Sequence, residues 1–95
     1  MMTQLSTLGA SATRIQGVTA EQTVSAGPAT LHRIVASNAD ASNTATITLK
    51  DGSTTLSVLT VGTATSRTYE FGTRHATSIL VTPSDADLDL CVVYS

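Results

Sequence analysis

The sequence predicts an all-β fold: a small antiparallel β-sandwich or barrel, jelly-roll-like, with an extended N-terminal arm. Short segments rich in β-branched residues alternate with clusters of Gly, Pro, Asn, Asp and Ser, at intervals typical of sandwiches and barrels. One Asp-Gly pair lies between alternating apolar and polar residues, which is a strong hairpin signal. At 95 residues the chain has the size of one domain, because halves of it would be too small to bury a useful core.

The chain divides into an arm, residues 1–12, and a single β-sandwich domain, residues 13–95. Leu5 and Leu8 are the sizeable apolar residues of the arm besides the methionines, and neither a cap nor an apolar stripe supports a helix there. In the body, the β-like segments predict eight strands, near Thr13–Gln16, Gln22–Ser25, Ala29–Asn38, Asn43–Lys50, Ser53–Val61, Ser66–Phe71, Thr77–Thr82 and Asp87–Tyr94.

The most specific prediction is a hairpin through Asp51 and Gly52. Asp-Gly suits a two-residue type I′ turn, which needs positive φ at both central positions. With that turn Lys50 faces Ser53, and the alternation gives the hairpin one apolar face and one hydroxyl-bearing face. The apolar face pairs Leu49 with Thr54, Ile47 with Leu56 and Ala45 with Val58, and the other face pairs Thr48 with Thr55 and Thr46 with Ser57.

Two other strands carry predictions about their faces. In a regular strand over Ala29–Asn38, Leu31 and Val35 fall on one side. Ile34 and Ala36 fall on the other side, which indicates either a strand covered on both faces or a bulge. In the last strand, Leu88, Leu90, Val92 and Tyr94 share one face, while the opposite face changes from aspartates at its start to Cys91 and Val93 at its end.

Composition and charge exclude several classes of function. The net charge is −2 and the five cations are scattered, so no basic patch for nucleic acid is expected. No apolar run approaches the roughly 20 residues that span a bilayer, and the N-terminus has no signal-peptide pattern, so we expect no membrane partner. With no Trp and one Phe the isolated core is weak, and burial against copies of the chain or a host surface would stabilise it.

No group of residues predicts catalysis, so we expect that the chain is not an enzyme and takes no cofactor. His32 and His75 are the histidines of the sequence, and no nucleophile-elbow pattern accompanies them. Cys91 is the one cysteine, which excludes an intrachain disulfide and a cysteine metal cluster, and its apolar surroundings indicate a small hydrophobic residue. The glycines stand singly, so no loop is predicted to cradle a phosphate.

Two polar patterns leave alternatives open. The alternating carboxylates Asp85, Asp87 and Asp89 are able to hold a hard cation such as calcium, but an extended acidic run more often forms a solvated face that protects a sheet edge. The Thr44–Thr48 segment, with threonine at alternate positions, resembles the flat threonine faces of some β-structured ice-binding proteins.

The stretch Gly27–Leu56, GPATLHRIVASNADASNTATITLKDGSTTL, combines a Gly-Pro turn, an apolar strand, an Asn/Ala/Ser corner and an Asp-Gly hairpin. In this it resembles small virion proteins of tailed bacteriophages, and the short, Thr/Ala-rich chain with an N-terminal arm is similar to phage capsid decoration (cement) proteins. The resemblance implies a homotrimer made in the host cytoplasm and located on the capsid surface of the virion. There it would bind the major capsid protein and bridge neighbouring subunits, with its arm reaching across neighbours.

A tail, neck or fibre module that binds glycans is the main alternative, and a free carbohydrate- or ice-binding domain is a more remote one. For a binding role, Arg and Tyr are favoured at interfaces, and the arm supplies apolar anchors. The predicted interface residues are Leu5, Leu8, Arg14, Ile15, Arg67, Tyr69, Arg74 and Tyr94.

Overall fold

The computed structural model describes residues 10–95. Within that range the chain is all-β, with 67% of it in strands and no helix. No helix able to cross a membrane is therefore found among the described residues. The strands are β1 Ser11–Gln16, β2 Gln22–Ser25, β3 Ala29–Asn38, β4 Ala45–Asp51, β5 Thr54–Val61, β6 Thr65–His75, β7 Ile79–Pro83 and β8 Leu88–Tyr94.

The strands form two antiparallel four-stranded sheets that pack face to face. The first sheet has the order β1-β8-β3-β6 and the second has the order β2-β7-β4-β5. The chain changes sheet at every connection except the β4–β5 hairpin, and β1 pairs with β8. This is the jelly-roll arrangement of an eight-stranded sandwich, which confirms the predicted fold class.

The core lies between the sheets and consists of aliphatic side chains from alternate strand positions. All four predicted inward residues of β8 lie on this face: Leu88, Leu90 and Val92 are buried, and Tyr94 packs against the core from its margin. The period of two in the sequence is sufficient to predict this strand because one face of it is fully covered. The largest fully buried apolar side chains are Leu31, Ile34, Ile47, Leu49, Ile79, Leu88 and Leu90.

Strand β3 contains a bulge, which is one of the two alternatives that its sequence pattern indicated. Its register shifts between Leu31 and Arg33 relative to both neighbouring strands, so the side-chain alternation changes phase there. Leu31 and Ile34 are therefore both buried, while Val35 is 40% exposed on the outer face of the first sheet. The alternative of a strand covered on both faces is excluded.

The predicted register of the β4–β5 hairpin is wrong. Asp51 pairs with Thr54, so the two turn residues are Gly52 and Ser53 and not Asp51 and Gly52. Gly52 has φ +58°, which matches the glycine at the first central position of a type II′ turn. Asp51 remains in the strand because its carboxylate accepts hydrogen bonds from the backbone N–H groups of residues 76–78, at 2.9–3.1 Å.

A bulge in β5 changes the register a second time. The pairing shifts between Leu49 and Lys50, whose partners are Ser57 and Thr55, so Leu56 has no direct partner in β4. Thr48 consequently faces Val58, and Ile47 faces Leu59. The predicted pairs Ile47–Leu56 and Ala45–Val58 do not form, and Leu56 and Val58 point away from the core.

The body begins slightly earlier than the sequence indicates. Strand β1 starts at Ser11, so Ser11 and Ala12 belong to the first sheet and not to the arm. Residues 1–9 of the arm that the sequence predicts lie outside the described residues.

Candidate functional site

The most distinctive surface lies on β5, at the free edge of the second sheet. Leu56 is 50% exposed and Val58 is 57% exposed, more than any other large hydrophobic residue of the described range. Both side chains point to the outer face, two positions apart on one strand. Strand β5, with the sequence TTLSVLTV, carries no charged residue and no proline, which are the usual protections of a sheet edge.

Threonines of β4 and β5 continue this surface across the sheet. Thr48 lies opposite Val58 and Thr46 lies opposite Thr60, and the inward neighbours of the β4 threonines are fully buried. The hydroxyl-bearing residues therefore lie on the same outer face as the apolar ones. We call this surface the β5 patch: Leu56, Val58 and Thr60 of β5 with Thr46 and Thr48 of β4.

The outer face of the first sheet carries a second feature, a shallow depression of about 290 Å³. At its rim the guanidinium of Arg14 donates two hydrogen bonds to the carboxylate of Asp89, at 2.7 and 3.0 Å. This contact lowers the pKa of Asp89 and raises the pKa of Arg14. The residues lining the depression are Arg14, Val35, Ala36, Ser37, Ser66, Asp89 and Cys91.

The acidic run does not form one group. Asp89 is paired with Arg14, whereas Asp85 and Asp87 meet Asp40 from the loop after β3, with carboxylate oxygens of all three within 4.8 Å of one another. Such a set presents three oxygens to a hard cation. The sequence did not predict Asp40, because only the folded sandwich brings the loop after β3 beside the loop after β7.

Hydrogen bonds within the loops already engage two of these three carboxylates. The backbone N–H of Ser42 donates to Asp40 at 2.8 Å and is the main cause that lowers the pKa of Asp40 to about 2. Asn43 donates to the same carboxylate, and Asp85 accepts from the backbone N–H of Asp87 at 2.9 Å. The contacts shown are those of carboxylates that shape two loops.

Neither histidine is part of a complete catalytic set in the described residues. His32 Nε2 lies 2.8 Å from Ser95 Oγ, a base-to-hydroxyl contact, but within residues 10–95 no carboxylate hydrogen-bonds its Nδ1. His75 is fully buried, and its Nδ1 donates to the carbonyl oxygen of Ser78 at 3.0 Å. His75 Nε2 has no hydrogen-bond partner among the described residues.

Three predicted interface residues lie on β6, near the open side of the sandwich next to β5. Arg67 stacks over the ring of Tyr69, with 5.6 Å from its guanidinium carbon to the ring centroid. The Tyr69 hydroxyl donates to the backbone carbonyl of Thr60, so this side chain joins the two sheets at their margin. Arg74 is exposed further along β6.

The other predicted interface residues are spread over the molecule. Arg14 is on the outer face of the first sheet, paired with Asp89. Ile15 is 6% exposed and belongs to the core, so its side chain does not lie on a surface of this domain. Tyr94 packs against the core margin, and Leu5 and Leu8 lie outside the described residues.

The sequence did not predict Leu56 and Val58 as surface residues, because the predicted turn placed them on the apolar face of the hairpin. A signal for the correct placement exists in the sequence: Leu56 and Val58 occupy one phase of the alternation in β5, and Leu59 and Val61 occupy the other. Only one of these sets is able to face the core. The position of the turn, which depends on Asp51, decides between them.

Comparison of the chain with protein-family models, with curated proteins and with solved structures finds no match.

Proposed function

We propose that this protein is a structural component of a virion, a decoration (cement) protein that binds the outer surface of a phage head and bridges neighbouring capsid subunits. The observation that carries the proposal is the β5 patch, where the most exposed large apolar side chains lie on an uncharged strand of a small jelly roll. The resemblance of Gly27–Leu56 to phage decoration proteins supplies the kind of surface that it binds. The major capsid protein is the proposed partner.

The energetics of the patch suit attachment in many copies. Full burial of a Leu or Val side chain contributes about 1.5–3 kcal/mol, so covering the exposed halves of Leu56 and Val58 contributes about 2 kcal/mol per copy. This is too little for tight binding of a single copy to a single site. A domain that touches two subunits, or that is itself assembled from several copies, gains affinity through multivalency.

The threonines around the apolar pair suit contact with a protein shell. Thr46, Thr48 and Thr60 offer hydroxyl donors and acceptors and lose less side-chain freedom on burial than Lys or Glu. Because the patch lacks charge, its binding to a shell is expected to be insensitive to salt.

A binding assay with matched variants tests the proposal. Expanded phage heads are incubated with the wild-type protein and with Leu56→Thr, Val58→Thr and Val35→Thr, and bound protein is measured after sedimentation of the heads. Val35→Thr is the control, because it makes the same kind of change at a residue that is 40% exposed on the other sheet. We expect stoichiometric binding and greater heat resistance of the heads with the wild type and Val35→Thr, and reduced binding with the other two. No binding by the wild type, or equal binding by all four proteins, would overturn the proposal.

A second candidate function is favoured by the register of the outer-face threonines. Thr48 lies between Thr82 of β7 and Val58 of β5, and Thr46 lies opposite Thr60, so hydroxyls occur on three adjacent strands. A regular hydroxyl array of this kind is what a free ice-binding domain would need. Val58→Thr separates the two functions, because it removes apolar surface from the patch but adds a hydroxyl beside Thr48. Thermal hysteresis that increases in Val58→Thr would support ice binding, and its absence from both proteins would exclude it.

A further inference from the structure

We propose that two copies of this chain join through their β5 strands, antiparallel and about a two-fold axis, to form one continuous eight-stranded sheet. The inference concerns the backbone edge of β5, and the β5 patches of the two copies stay on the outer face of the joined sheet, where Leu56 and Val58 cover each other in part. It does not depend on the proposed attachment to a virion. It predicts a two-fold assembly, whereas the resemblance to decoration proteins implies a trimer.

Among the four edge strands, β5 is the least protected against such pairing. Strand β2 has four residues and a register shift, and β1 carries Arg14. Strand β6 carries Arg67, Glu70 and Arg74. Short length, irregularity and charge are the usual means by which natural sheets prevent edge-to-edge association. Strand β5 has eight residues without charge or proline. Of these means of protection it has only an irregularity, the bulge at Leu56.

The geometry of antiparallel pairing restricts the register of a symmetric dimer. Along a strand, the N–H and C=O groups of successive residues point alternately to one side and to the other. In an antiparallel pair, two directly opposed residues must either both point these groups at the partner strand or both point them away from it. In a two-fold dimer, the axis must therefore lie where a residue of one copy is directly opposite the same residue of the other copy. An axis at Ser57 places Leu56 of each copy directly opposite Val58 of the other.

That register is favoured by the side chains of the outer face. Directly opposed Leu and Val side chains have Cβ atoms about 4.5–5.5 Å apart, so each covers part of the exposed surface of the other. The four apolar side chains of the two patches then form one continuous cluster. An axis at Thr55 or Leu59 would place Leu56 or Val58 opposite polar residues or beyond the strand.

A second copy is a better occupant of this edge than an unrelated strand. Since β5 has no charge, identical copies do not repel each other there, and a foreign strand finds no charged group for specific recognition. The self-complementary order of Leu56, Ser57 and Val58 gives a copy of the same strand an apolar partner at both positions. The Thr60 carbonyl already accepts from Tyr69, so pairing relies on the part of β5 before Thr60.

The size of the contact predicts a weak dimer. With the axis at Ser57 and pairing limited to the part of β5 before Thr60, residues 55–59 pair, and five residues at about 3.4 Å each give an edge of about 17 Å. One pair of edge strands buries less than the roughly 1,000 Å² of a stable interface. We therefore expect monomers at about 10 μM and a growing dimer fraction toward about 1 mM.

Sedimentation equilibrium of the full chain over that concentration range provides the first test. Leu56→Lys and Val58→Glu each place a charge on the edge at a side chain that is at least half exposed, so both variants should fold, as checked by circular dichroism. We expect each variant alone to stay monomeric. An equal mixture should form a heterodimer, because the register sets Lys at position 56 of one copy opposite Glu at position 58 of the other.

A disulfide test reads the register directly. Ser57→Cys combined with Cys91→Ser should give a covalent dimer under mild oxidation, because the two-fold axis brings the residues at position 57 of both copies opposite each other. Val35→Cys combined with Cys91→Ser is the control at an exposed position of the other sheet and should remain monomeric. The proposal is overturned if the wild type is monomeric throughout. The proposal is also overturned if a dimer or trimer forms that Leu56→Lys and Val58→Glu do not weaken, or if the Ser57→Cys variant does not cross-link. A dimer without binding to phage heads would leave this inference standing and remove only the proposed function.

Discussion

The side-chain amide of Asn38 donates a hydrogen bond to the backbone carbonyl of Gly62 at 3.1 Å, across 24 positions of the chain. The same amide donates to the carbonyl of Asn43 at 3.0 Å, and the Asn38 carbonyl oxygen accepts from the backbone N–H of Asp40 at 3.0 Å. Asn38 is 2% exposed, so these bonds are largely shielded from water. One buried amide therefore joins the loop after β3 to the loop after β5.

Asn38→Asp should destabilise the domain at neutral pH. The change removes the N–H donors and places a carboxylate against two carbonyl oxygens, and an unsatisfied buried polar group costs about 1–3 kcal/mol, more when it is charged. Urea unfolding measures the difference. Ser37→Ala, at the exposed neighbouring position, is the control and should stay within about 0.5 kcal/mol of the wild type. Equal stability of the two variants would show that the Asn38 bonds do not hold the loops.

Asp51→Asn should lower the melting temperature at neutral pH and flatten its dependence on acid. The backbone N–H of Ser78, followed by that of Thr77, lowers the pKa of Asp51 in the folded state. Because the folded pKa lies below the unfolded one, the stabilisation is present above about pH 3.9 and is lost as the pH falls through the folded pKa. Melting curves between neutral pH and about pH 2 test this. Glu70→Gln, an exposed carboxylate at 3.4 Å from Arg33, is the control and should change the acid dependence less.

Ala64→Gly should stabilise the protein. Ala64 has φ +49°, the only positive φ at a non-glycine residue in the described range, and a Cβ in this conformation costs about 1 kcal/mol. Glycine removes that strain but adds freedom to the unfolded chain, so we expect a net gain of about 0.5 kcal/mol in unfolding free energy. Ala39→Gly, in a loop at the same end of the sandwich and without positive φ, should instead lose about 0.5–1 kcal/mol. A loss of the same size in both variants would contradict strain at Ala64.

Leu56→Ala should leave stability within about 1 kcal/mol of the wild type, because Leu56 is half exposed. Ile47→Ala should cost about 2–5 kcal/mol, because Ile47 is fully buried between the sheets. Both are measured by urea unfolding. The hairpin register expected from the Asp-Gly turn would bury the two side chains together. A large loss of unfolding free energy in Leu56→Ala would therefore support that register and contradict the observed one.

Much of the sandwich follows from local sequence. The eight strands lie within a few residues of their predicted places, since turn residues mark their ends and β-branched residues fill them. The face of β8 also follows from the sequence, because a covered sheet face imposes a strict period of two. The break in this period in β3 is visible in the sequence too, but the sequence left open whether it marks a bulge or a strand covered on both faces. Such features are predictable because the alternation of apolar and polar side chains along one strand indicates which of its faces is covered.

The candidate site could not be predicted in the same way. Tyr69 was predicted as an interface residue and bonds to Thr60 of β5, but Leu56 and Val58, which carry the exposed patch, were placed on the apolar face of the hairpin. The predicted acidic group also differs from the observed one: Asp89 is paired with Arg14, and Asp40 lies beside Asp85 and Asp87 instead. In each case the deciding partner is distant along the chain.

The sequence by itself determined an all-β domain of eight strands and the inward face of its last strand, and it limited the third strand to two alternatives, of which the structure shows the bulge. The tertiary structure alone decided which residues of β5 face the solvent. Asp51 is the physical reason: its carboxylate binds the N–H groups of residues 76–78, so Asp51 stays in the strand, the turn moves to Gly52 and Ser53, and the β5 bulge completes the change of register. A turn motif reports only local backbone preference, whereas hydrogen bonds across 25 or more positions exist only once β7 has paired with β4 in the second sheet.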